Sequence, residues 1–455
     1  MFFIVAVAAL PTSIQVVLFV FSLFVAYSFF ASLSVGGWWA KGVISIVGVL
    51  FLANIAWFVG QIYFVNEPSP FTAEGKTSSP NIKIVNFKQK PNVYFISFDA
   101  MIPVSLAKKY LNIDNLSYQN FTKEKGFYRF RNAFSDGTYT RYGLNKLLAM
   151  DHDYFTVLEK QNKYSSLFVG LSPSPAFEIF KANGYTTNTY FRDLHMGYKK
   201  GPHADNYKAT YNSYFGFCEN HPTINALYFG FFGACRLSWN SVGVPNLFTE
   251  ANVSIRNSSA AFDYVNFVLR DFTRQLSVGK PFVAFMHIIS PDHTPNTYKP
   301  SQFKEFEQKF LVTIRDETRP LMENIFNFIQ ANDPNAFIYF YSDHGQGLSR
   351  LIYGNEFQEL NKKNKEFYIQ DRYGILAAFY PPDVCAEYLD APMMKPFVTN
   401  TMVLRQVIRC LADGEDPVIA PVEYRLHPYY GEKEAGDLSG HQGDEPGYYE
   451  DYLYE

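Results

Sequence analysis

Two long apolar segments stand near the start of the chain and differ from everything after them. Residues 12–34 and 43–65 contain no charged side chain. A helix needs roughly 20 apolar residues to cross the hydrocarbon core of a bilayer, so we predict two transmembrane helices within residues 1–66. A cleaved signal peptide is disfavoured, because it has one short apolar region behind a basic start. A buried hairpin of two soluble helices is the remaining alternative.

The short link between the two segments sets their expected orientation. Its one charged residue is Lys41, and positive residues prefer the cytoplasmic side of a membrane. We therefore expect the link inside and everything after Val65 outside. In a bacterial inner membrane, the large remaining part of the chain would then lie in the periplasm.

The pattern of apolar and polar positions changes after the second segment. Residues 67–90 are rich in Pro, Ser, Thr and Lys, which is typical of a linker. From residue 91 onward, buried apolar runs alternate with stretches of helical spacing, which predicts an α/β domain with a mostly parallel sheet between helices over 91–428. The acidic, Tyr-rich residues 429–455 are predicted to form a peripheral tail.

Individual elements follow from the same pattern. Strands are predicted at 92–98, 185–191, 281–289 and 336–341, and helices at 176–184, 262–276 and 303–330. Each strand is a short and nearly continuous apolar or β-branched run, which suits burial on both faces of a parallel sheet. Each helix shows apolar residues three or four positions apart.

All four cysteines follow the apolar segments, at positions 218, 235, 385 and 410. Their order suggests the pairs Cys218–Cys235 and Cys385–Cys410, although four cysteines allow three connectivities. Disulfides would fit an oxidising compartment. Four buried free thiols remain an equal alternative.

The overall charge excludes one large class of partners. The chain has 455 residues, a net charge of −3 and a pI near 6.3. Nucleic-acid binding usually needs a clustered basic surface, so we expect no nucleic-acid partner. The expected partners are instead a membrane lipid and a lipid or glycan substrate.

Polar residues collect where three predicted strands end. Asp99 follows the first strand, and Asp343 and His344 follow the last. The predicted strand at 281–289 contains His287 and is followed by His293. Functional groups in open α/β sheets lie just past the carboxyl ends of the strands, and an Asp, Asp, His set suits a divalent cation. An Asp at such a position is more commonly a helix cap or turn residue, which is the alternative.

Four segments together resemble the sulfatase and alkaline-phosphatase superfamily, in particular its membrane-anchored phosphoethanolamine and phosphoglycerol transferases. They occur in the family's order at 91–99, 132–148, 291–295 and 342–345. The resemblance implies an alkaline-phosphatase-like fold. The first motif has one Asp where sulfatases often have two, which suggests one principal metal, and mixed oxygen and nitrogen ligands favour zinc or manganese over calcium or magnesium. The resemblance also implies metal ligation by a set of four residues, Asp99, Thr140, Asp343 and His344.

Thr140 occupies the nucleophile position of this resemblance. Sulfatases carry Cys or Ser there, followed by Pro and Arg, whereas this chain has Tyr142 and then Gly143-Leu144. A threonine cannot become the formylglycine on which sulfatases of that family depend. The resemblance therefore favours phosphoryl transfer through a phospho-threonine.

The expected function is that of a membrane-bound, metal-dependent transferase or hydrolase of phosphate esters on an envelope lipid or glycan. His293 is expected to be the general acid and base. The candidate substrate contacts are Lys146, Arg141, Arg372 and His287. For His287, a structural role within its apolar strand is the stronger alternative. The alternative functions are a sulfuric-ester hydrolase and a catalytically silent membrane module.

Overall fold

The computed structural model describes most of the predicted extracytoplasmic domain. The described residues are 82–138, 140–151, 174–191, 204–209, 258–292, 300–348, 362–391, 394–419, 425–426, 447–448 and 453–454. All of them belong to one compact unit of the chain. The two predicted transmembrane segments lie outside these residues. Within the described part, no helix is long and apolar enough to cross a membrane.

The described residues form a seven-stranded sheet with the strand order β2-β8-β7-β1-β6-β4-β5. The strands of the protein, in chain order, are β1 Val93–Phe98, β2 Tyr128–Arg129, β3 Ala133–Phe134, β4 Thr186–Phe191, β5 Asn206–Ala209, β6 Phe282–Ile288, β7 Phe337–Ser342, β8 Ala377–Tyr380, β9 Val398–Thr399, β10 Arg425–Leu426 and β11 Gly447–Tyr448. From β7 to β5 all neighbours are parallel, and β8 runs antiparallel to both β7 and β2. The predicted mostly parallel α/β sheet is thus observed.

Helices cover both faces of this sheet. They are α1 Val104–Leu111, α2 Ser117–Glu124, α3 Thr140–Ala149, α4 Pro175–Ala182, α5 Ser258–Val278, α6 Phe303–Thr313, α7 Arg319–Asn332, α8 Lys362–Tyr373, α9 Ala386–Leu389 and α10 Asn400–Leu411. The core has two parts: one lies against α3, α4 and α10, and the other against α1, α2, α5, α6 and α7.

Alternation along β1 assigns its side chains to the two faces. Phe95 packs in the core beside α3, where its ring stacks on Phe285 at 4.8 Å, while Ile96 packs in the opposite core. Since alternate residues of a strand share a face, Ser97 and Asp99 are on the same face as Phe95. The metal-ligand candidate of β1 therefore lies on the α3 side of the sheet.

The long helix predicted at 303–330 is interrupted in the structure. A π-helical turn at Ile314–Thr318 separates α6 from α7, and Pro320 stands in the first turn of α7. Proline has no backbone N–H to continue the ladder of the preceding helix, which accounts for a break at this place. The turn also contacts the strand-end loops, because the hydroxyls of Thr318 and Ser290 are 2.9 Å apart.

One predicted disulfide is confirmed. Cys385 and Cys410 are joined, with their Cα atoms 5.6 Å apart, and the bond links the start of α9 to the end of α10. The other two cysteines, at positions 218 and 235, lie outside the described residues.

Part of the predicted tail contacts the domain. The hydroxyl of Tyr454 donates a hydrogen bond to the carbonyl oxygen of Ala133 at 2.5 Å. Its ring packs edge-on against Phe134 at 5.3 Å. Residues 453–454 are thus attached to the segment that precedes α3.

Candidate metal and nucleophile site

The site is built where β1 and β7 end side by side. Phe98 lies opposite Ser342 in the parallel register, so the next residues, Asp99 and Asp343, meet at one edge of the sheet. Both carboxylates are buried, with relative exposures of 4% and 0%. The central position of β1 and β7 therefore brings together two residues that are 244 positions apart in the chain.

Ser342 fixes the two strand ends to each other. Its Oγ atom accepts a hydrogen bond from the backbone N–H of Met101 at 2.8 Å. The same hydroxyl is 2.8 Å from the carbonyl oxygen of Phe98 and 2.7 Å from that of His344, and it can donate to either. The serine that precedes Asp343 thus holds the ligand-bearing loops in register.

His344 completes a compact group of three possible ligands. Its Nδ1 atom is 2.7 Å from the carbonyl oxygen of Gly345, so Nδ1 donates a proton there and the neutral ring presents the lone pair of Nε2. Nε2 is 3.2 Å from Oδ1 of Asp99 and 3.6 Å from Oδ2 of Asp343. One ligand atom from each of the three residues lies within 4.8 Å of the others. We call Asp99, Asp343 and His344 the metal group.

The surroundings of Asp343 test whether a cation fits this group. Neither of its buried oxygens receives a hydrogen bond of normal geometry. Burial raises the pKa of Asp343, and the nearby His287, Thr140 hydroxyl and Ala100 amide only partly oppose this effect. A buried carboxylate without strong donors is costly. A divalent cation between Asp343, Asp99 and Nε2 of His344 would remove that cost, so the residues present fit a metal.

Thr140 lies beside this group because α3 begins there. Its hydroxyl is close enough to the Asp343 carboxylate to lower the pKa of that group. One turn later, Gly143 lies directly against the loop after β7: a Cβ atom at Gly143 would be 2.5 Å from the carbonyl oxygen of Asp343. Glycine therefore permits the close approach that places Thr140 at the site. The structure brings together the four predicted metal and nucleophile residues.

The loop before α3 is anchored by residues that sequence reasoning did not single out. Oδ2 of Asp136 accepts a hydrogen bond from the backbone N–H of Thr401 at 3.0 Å, in the first turn of α10. The N–H of Ser135 donates to the carbonyl oxygen of Tyr373 at 2.7 Å. Polar side chains just before a helix are a recognisable signal for such anchors, but their partners lie more than 200 residues away in the chain.

His287 occupies a buried row immediately beneath the site. Ser97 lies opposite both His287 and Tyr341 in the sheet register, and its Oγ atom is 2.6 Å from Nδ1 of His287. Burial lowers the pKa of His287 to about 4; the charge of Asp343 opposes this shift and His344 adds to it. His287 is therefore a neutral, hydrogen-bonded core residue below the metal group. Its predicted contact with substrate stays a prediction.

The predicted basic residues have different positions. Arg372 is 3% exposed and adjoins the metal motif: its carbonyl oxygen accepts the Gly345 N–H at 2.8 Å, and its guanidinium lies against Gly347. Lys146 is buried in α3, six residues beyond Thr140 and thus about 9 Å further along the helix axis. The side chain of Arg141 and the whole of His293 lie outside the described part of the chain.

Gln346 connects two loops of the site and was not foreseen from the sequence. Its side chain is fully buried, and Nε2 donates to the carbonyl oxygen of Asp292 at 2.9 Å. Strands β7, β1 and β6 are consecutive in the sheet, so a bond between the loops after β7 and β6 crosses the end of β1. Asp292, with φ at +72°, is the residue before His293. Gln346 thus holds the backbone immediately before the predicted acid and base.

Comparison with known proteins gives similarity at the level of structure. No protein-family model matches the sequence, and no curated protein matches it. The C-terminal periplasmic domain of EcEptC from Escherichia coli, in complex with zinc, is 12% identical, with 82% of this chain and 96% of that domain covered and a TM-score of 0.47.

Two further solved structures show a comparable degree of similarity. The lipoteichoic acid synthase LtaP from Listeria monocytogenes is 12% identical over 76% of this chain and 79% of that one, with a TM-score of 0.41. The PsFucS1 sulfatase from Pseudoalteromonas sp. is 12% identical over 71% and 68%, with a TM-score of 0.42. These neighbours are members of the superfamily that the sequence motifs resemble.

Proposed function

We propose that this chain is a membrane-anchored, metal-dependent enzyme that transfers or hydrolyses phosphate esters on an envelope lipid or glycan. The observation that carries this proposal is the position of Asp343, whose buried carboxylate lies near both the Thr140 hydroxyl and Nε2 of His344. A hydroxyl nucleophile beside a ligand group is the arrangement that phosphoryl transfer through a covalent intermediate needs.

The metal would be held by Asp99, Asp343 and His344, with Thr140 as a fourth ligand. When bound, a divalent cation would stabilise the negative charge that develops on the transferred phosphoryl group and lower the pKa of a neighbouring hydroxyl. Mixed oxygen and nitrogen ligands favour zinc or manganese.

In the first step, Oγ1 of Thr140 forms a bond to phosphorus while the bond from phosphorus to the leaving alcohol breaks. The Thr140 proton is released to solvent, and the leaving oxygen takes a proton from His293. In the second step, His293 accepts the proton of an incoming alcohol or water, which attacks phosphorus. The bond between phosphorus and Oγ1 breaks, and Thr140 recovers its proton. Each step is an in-line displacement.

The membrane part of the proposal rests on the sequence. The apolar segments at 12–34 and 43–65 would hold the catalytic domain next to lipid substrates on the extracytoplasmic side. A reporter that is active only outside the cytoplasm, fused after residue 66, would test this orientation. Activity of the same reporter fused at Lys41 instead would contradict it.

Labelling of Thr140 is the direct test of the mechanism. The full-length, metal-loaded protein is incubated with phospholipid carrying 32P in its headgroup, and the labelled peptide is identified by mass spectrometry. We expect phosphate on Thr140, reduced labelling in Thr140→Ser and none in Thr140→Ala. Thr138→Ala is the matched control, because Thr138 is a buried threonine of the same loop. Full turnover in Thr140→Ala would rule out this nucleophile, and turnover of sulfate esters alone would favour a sulfatase.

A further inference from the structure

A cavity lies at the edge strand of the sheet, two strands away from the strand that precedes Asp343. It has a volume of about 100 Å³ and lies between α2, β2 and the start of β8. Its polar lining consists of Gln119, Arg129 and Arg131, and Phe130 and Leu376 contribute to its apolar wall. We call this cavity the arginine pocket. It belongs to none of the motifs on which the proposed function rests.

The register of β2 places the arginine pocket relative to the metal group. Arg129 lies opposite Ala378 of β8, and the carbonyl oxygen of Leu376, two residues earlier, accepts the N–H of Ser342 at 3.0 Å. β2 is two strands away from β7, at a spacing of about 4.8 Å per strand. The pocket thus lies at the same end of the strands as Asp343, about 10 Å away from it across the sheet.

Every polar side chain of the pocket presents hydrogen-bond donors. Arg129 and Arg131 both line the cavity, on either side of Phe130 in the chain, while Phe130 itself packs into the core. No carboxylate lines the cavity, and neither arginine forms an ion pair or side-chain hydrogen bond with another described residue. Two positive charges at one concavity would repel each other unless an anion or solvent lies between them.

Gln119 adds a third donor with a fixed direction. Its Oε1 atom accepts the backbone N–H of Val104 at 2.7 Å, so the opposite end of the amide is the NH₂ group, which can donate only. The residue is 9% exposed, and burial in α2 restricts its rotamers. The pocket therefore combines one oriented neutral donor with two forked cationic donors.

We propose that the arginine pocket binds a phosphate group, either as free phosphate or as the phosphomonoester of a lipid headgroup. Arginine forks match the paired oxygens of a phosphate, and charge assistance makes these hydrogen bonds the stronger ones in proteins. The inference does not depend on the proposed transfer reaction, because no residue of the pocket takes part in it.

Titration of the full-length, metal-loaded protein in neutral detergent tests the pocket. Inorganic phosphate is one probe and dihexanoyl phosphatidate the other, with binding followed by calorimetry. We expect the double variant Arg129→Gln/Arg131→Gln to bind both probes about tenfold more weakly. Asp343→Asn should retain this component of binding, which separates the pocket from the metal group. Tighter binding of phosphatidate than of phosphate would identify a lipid as the source, and equal binding would identify the free anion.

A matched variant distinguishes specific binding in the arginine pocket from nonspecific attraction of anions to positive charge. Arg270 in α5 is also exposed, has no ion pair with another described residue and does not line the cavity. Arg270→Gln removes the same charge and should leave binding unchanged. The proposal fails if Arg270→Gln weakens binding as much as the double variant does. It also fails if the double variant binds like the wild type, or if Asp343→Asn abolishes all binding.

Discussion

Nε2 of His344 lies 3.2 Å from Oδ1 of Asp99, although the proton of the same ring is directed at the carbonyl oxygen of Gly345 through Nδ1. The neutral imidazole therefore turns the lone pair of Nε2 towards a carboxylate oxygen. Two such acceptors repel each other in a buried site unless a positive charge lies between them. In the neutral ring, Nε2 of His344 is thus the atom that would bind a cation together with Asp99.

Removal of the imidazole tests that assignment directly. His344→Ala should lower the affinity for zinc by at least about 100-fold and abolish phosphate-ester turnover, because a nitrogen ligand is lost. Metal content is measured by atomic absorption after dialysis against a graded chelator. Asp316→Asn, an exposed carboxylate paired with Arg315, is the control and should retain full metal. Unchanged zinc content in His344→Ala would contradict the assigned ligand set.

We expect that even substitution by alanine at Gly143 lowers both activity and stability. The Cβ atom of Gly143→Ala would lie 2.5 Å from the carbonyl oxygen of Asp343, so α3 must move away from the metal group. We expect a large loss of kcat and a destabilisation of about 1–3 kcal/mol, measured by turnover and by denaturant unfolding.

Gly126→Ala is the control for Gly143→Ala, because it separates the loss of kcat from the loss of stability. A Cβ atom there meets nothing within 4 Å, and its φ of +74° still makes the variant less stable, by about 1 kcal/mol. Its kcat should equal that of the wild type. Wild-type kcat in Gly143→Ala would mean that the distance between Thr140 and Asp343 does not limit the reaction.

Gln346 should affect the reaction without affecting the metal. Gln346→Met keeps the length of the side chain but cannot donate to Asp292, so the backbone before His293 loses its tie to the loop after β7. We expect kcat to fall about 10- to 100-fold, since small displacements of reacting groups have effects of this size. Zinc content should stay at the wild-type level. Gln330→Met, a partly buried glutamine of α7, is the control. Loss of metal together with kcat would show that Gln346 supports the ligands instead.

The fold was largely accessible from the sequence, and the site only in part. The buried strands β1, β6 and β7 and the residues at their ends follow from local apolar runs, which is why Asp99 and Asp343 could be found. The antiparallel strand β8 and the polar ties made by Ser342 and Gln346 could not be predicted. Such ties depend on which loops become neighbours across the sheet, and no local pattern of the sequence encodes that relationship.

The disulfide between Cys385 and Cys410 should contribute substantially to stability. It closes a segment with a sequence separation of 25 residues, for which restriction of the unfolded chain gives about 3.5 kcal/mol. The double variant Cys385→Ser/Cys410→Ser should unfold at a correspondingly lower denaturant concentration. Reduction of the wild type should lower its denaturant midpoint by the same amount. The double variant should not show this decrease when reductant is added. Equal stability of both proteins would contradict a structural role.

Asp416 should make stability depend on pH in the acid range. Burial alone would raise the pKa of Asp416, but hydrogen bonds from Arg405 and from the backbone N–H of Val418 outweigh it and hold the pKa below its ordinary value. Arg405 reaches both carboxylate oxygens, at 2.9 and 2.6 Å. A lowered pKa in the folded state stabilises the protein above the unfolded pKa of about 3.9, and this contribution disappears as the pH falls through the folded pKa.

Comparison of Asp416→Asn with the wild type at two pH values checks this expectation. At pH 7 the variant should be less stable by about 1 kcal/mol, a small value because the pair is partly solvated. The difference should disappear well below pH 4, where the wild-type carboxylate is also neutral. Arg405→Gln should reproduce this pH dependence. Arg409→Gln should show less of it, because Nε of Arg409 is 3.8 Å from the carboxylate. A difference that stays constant down to pH 2 would mean that the Asp416 side chain acts by packing and not by its charge.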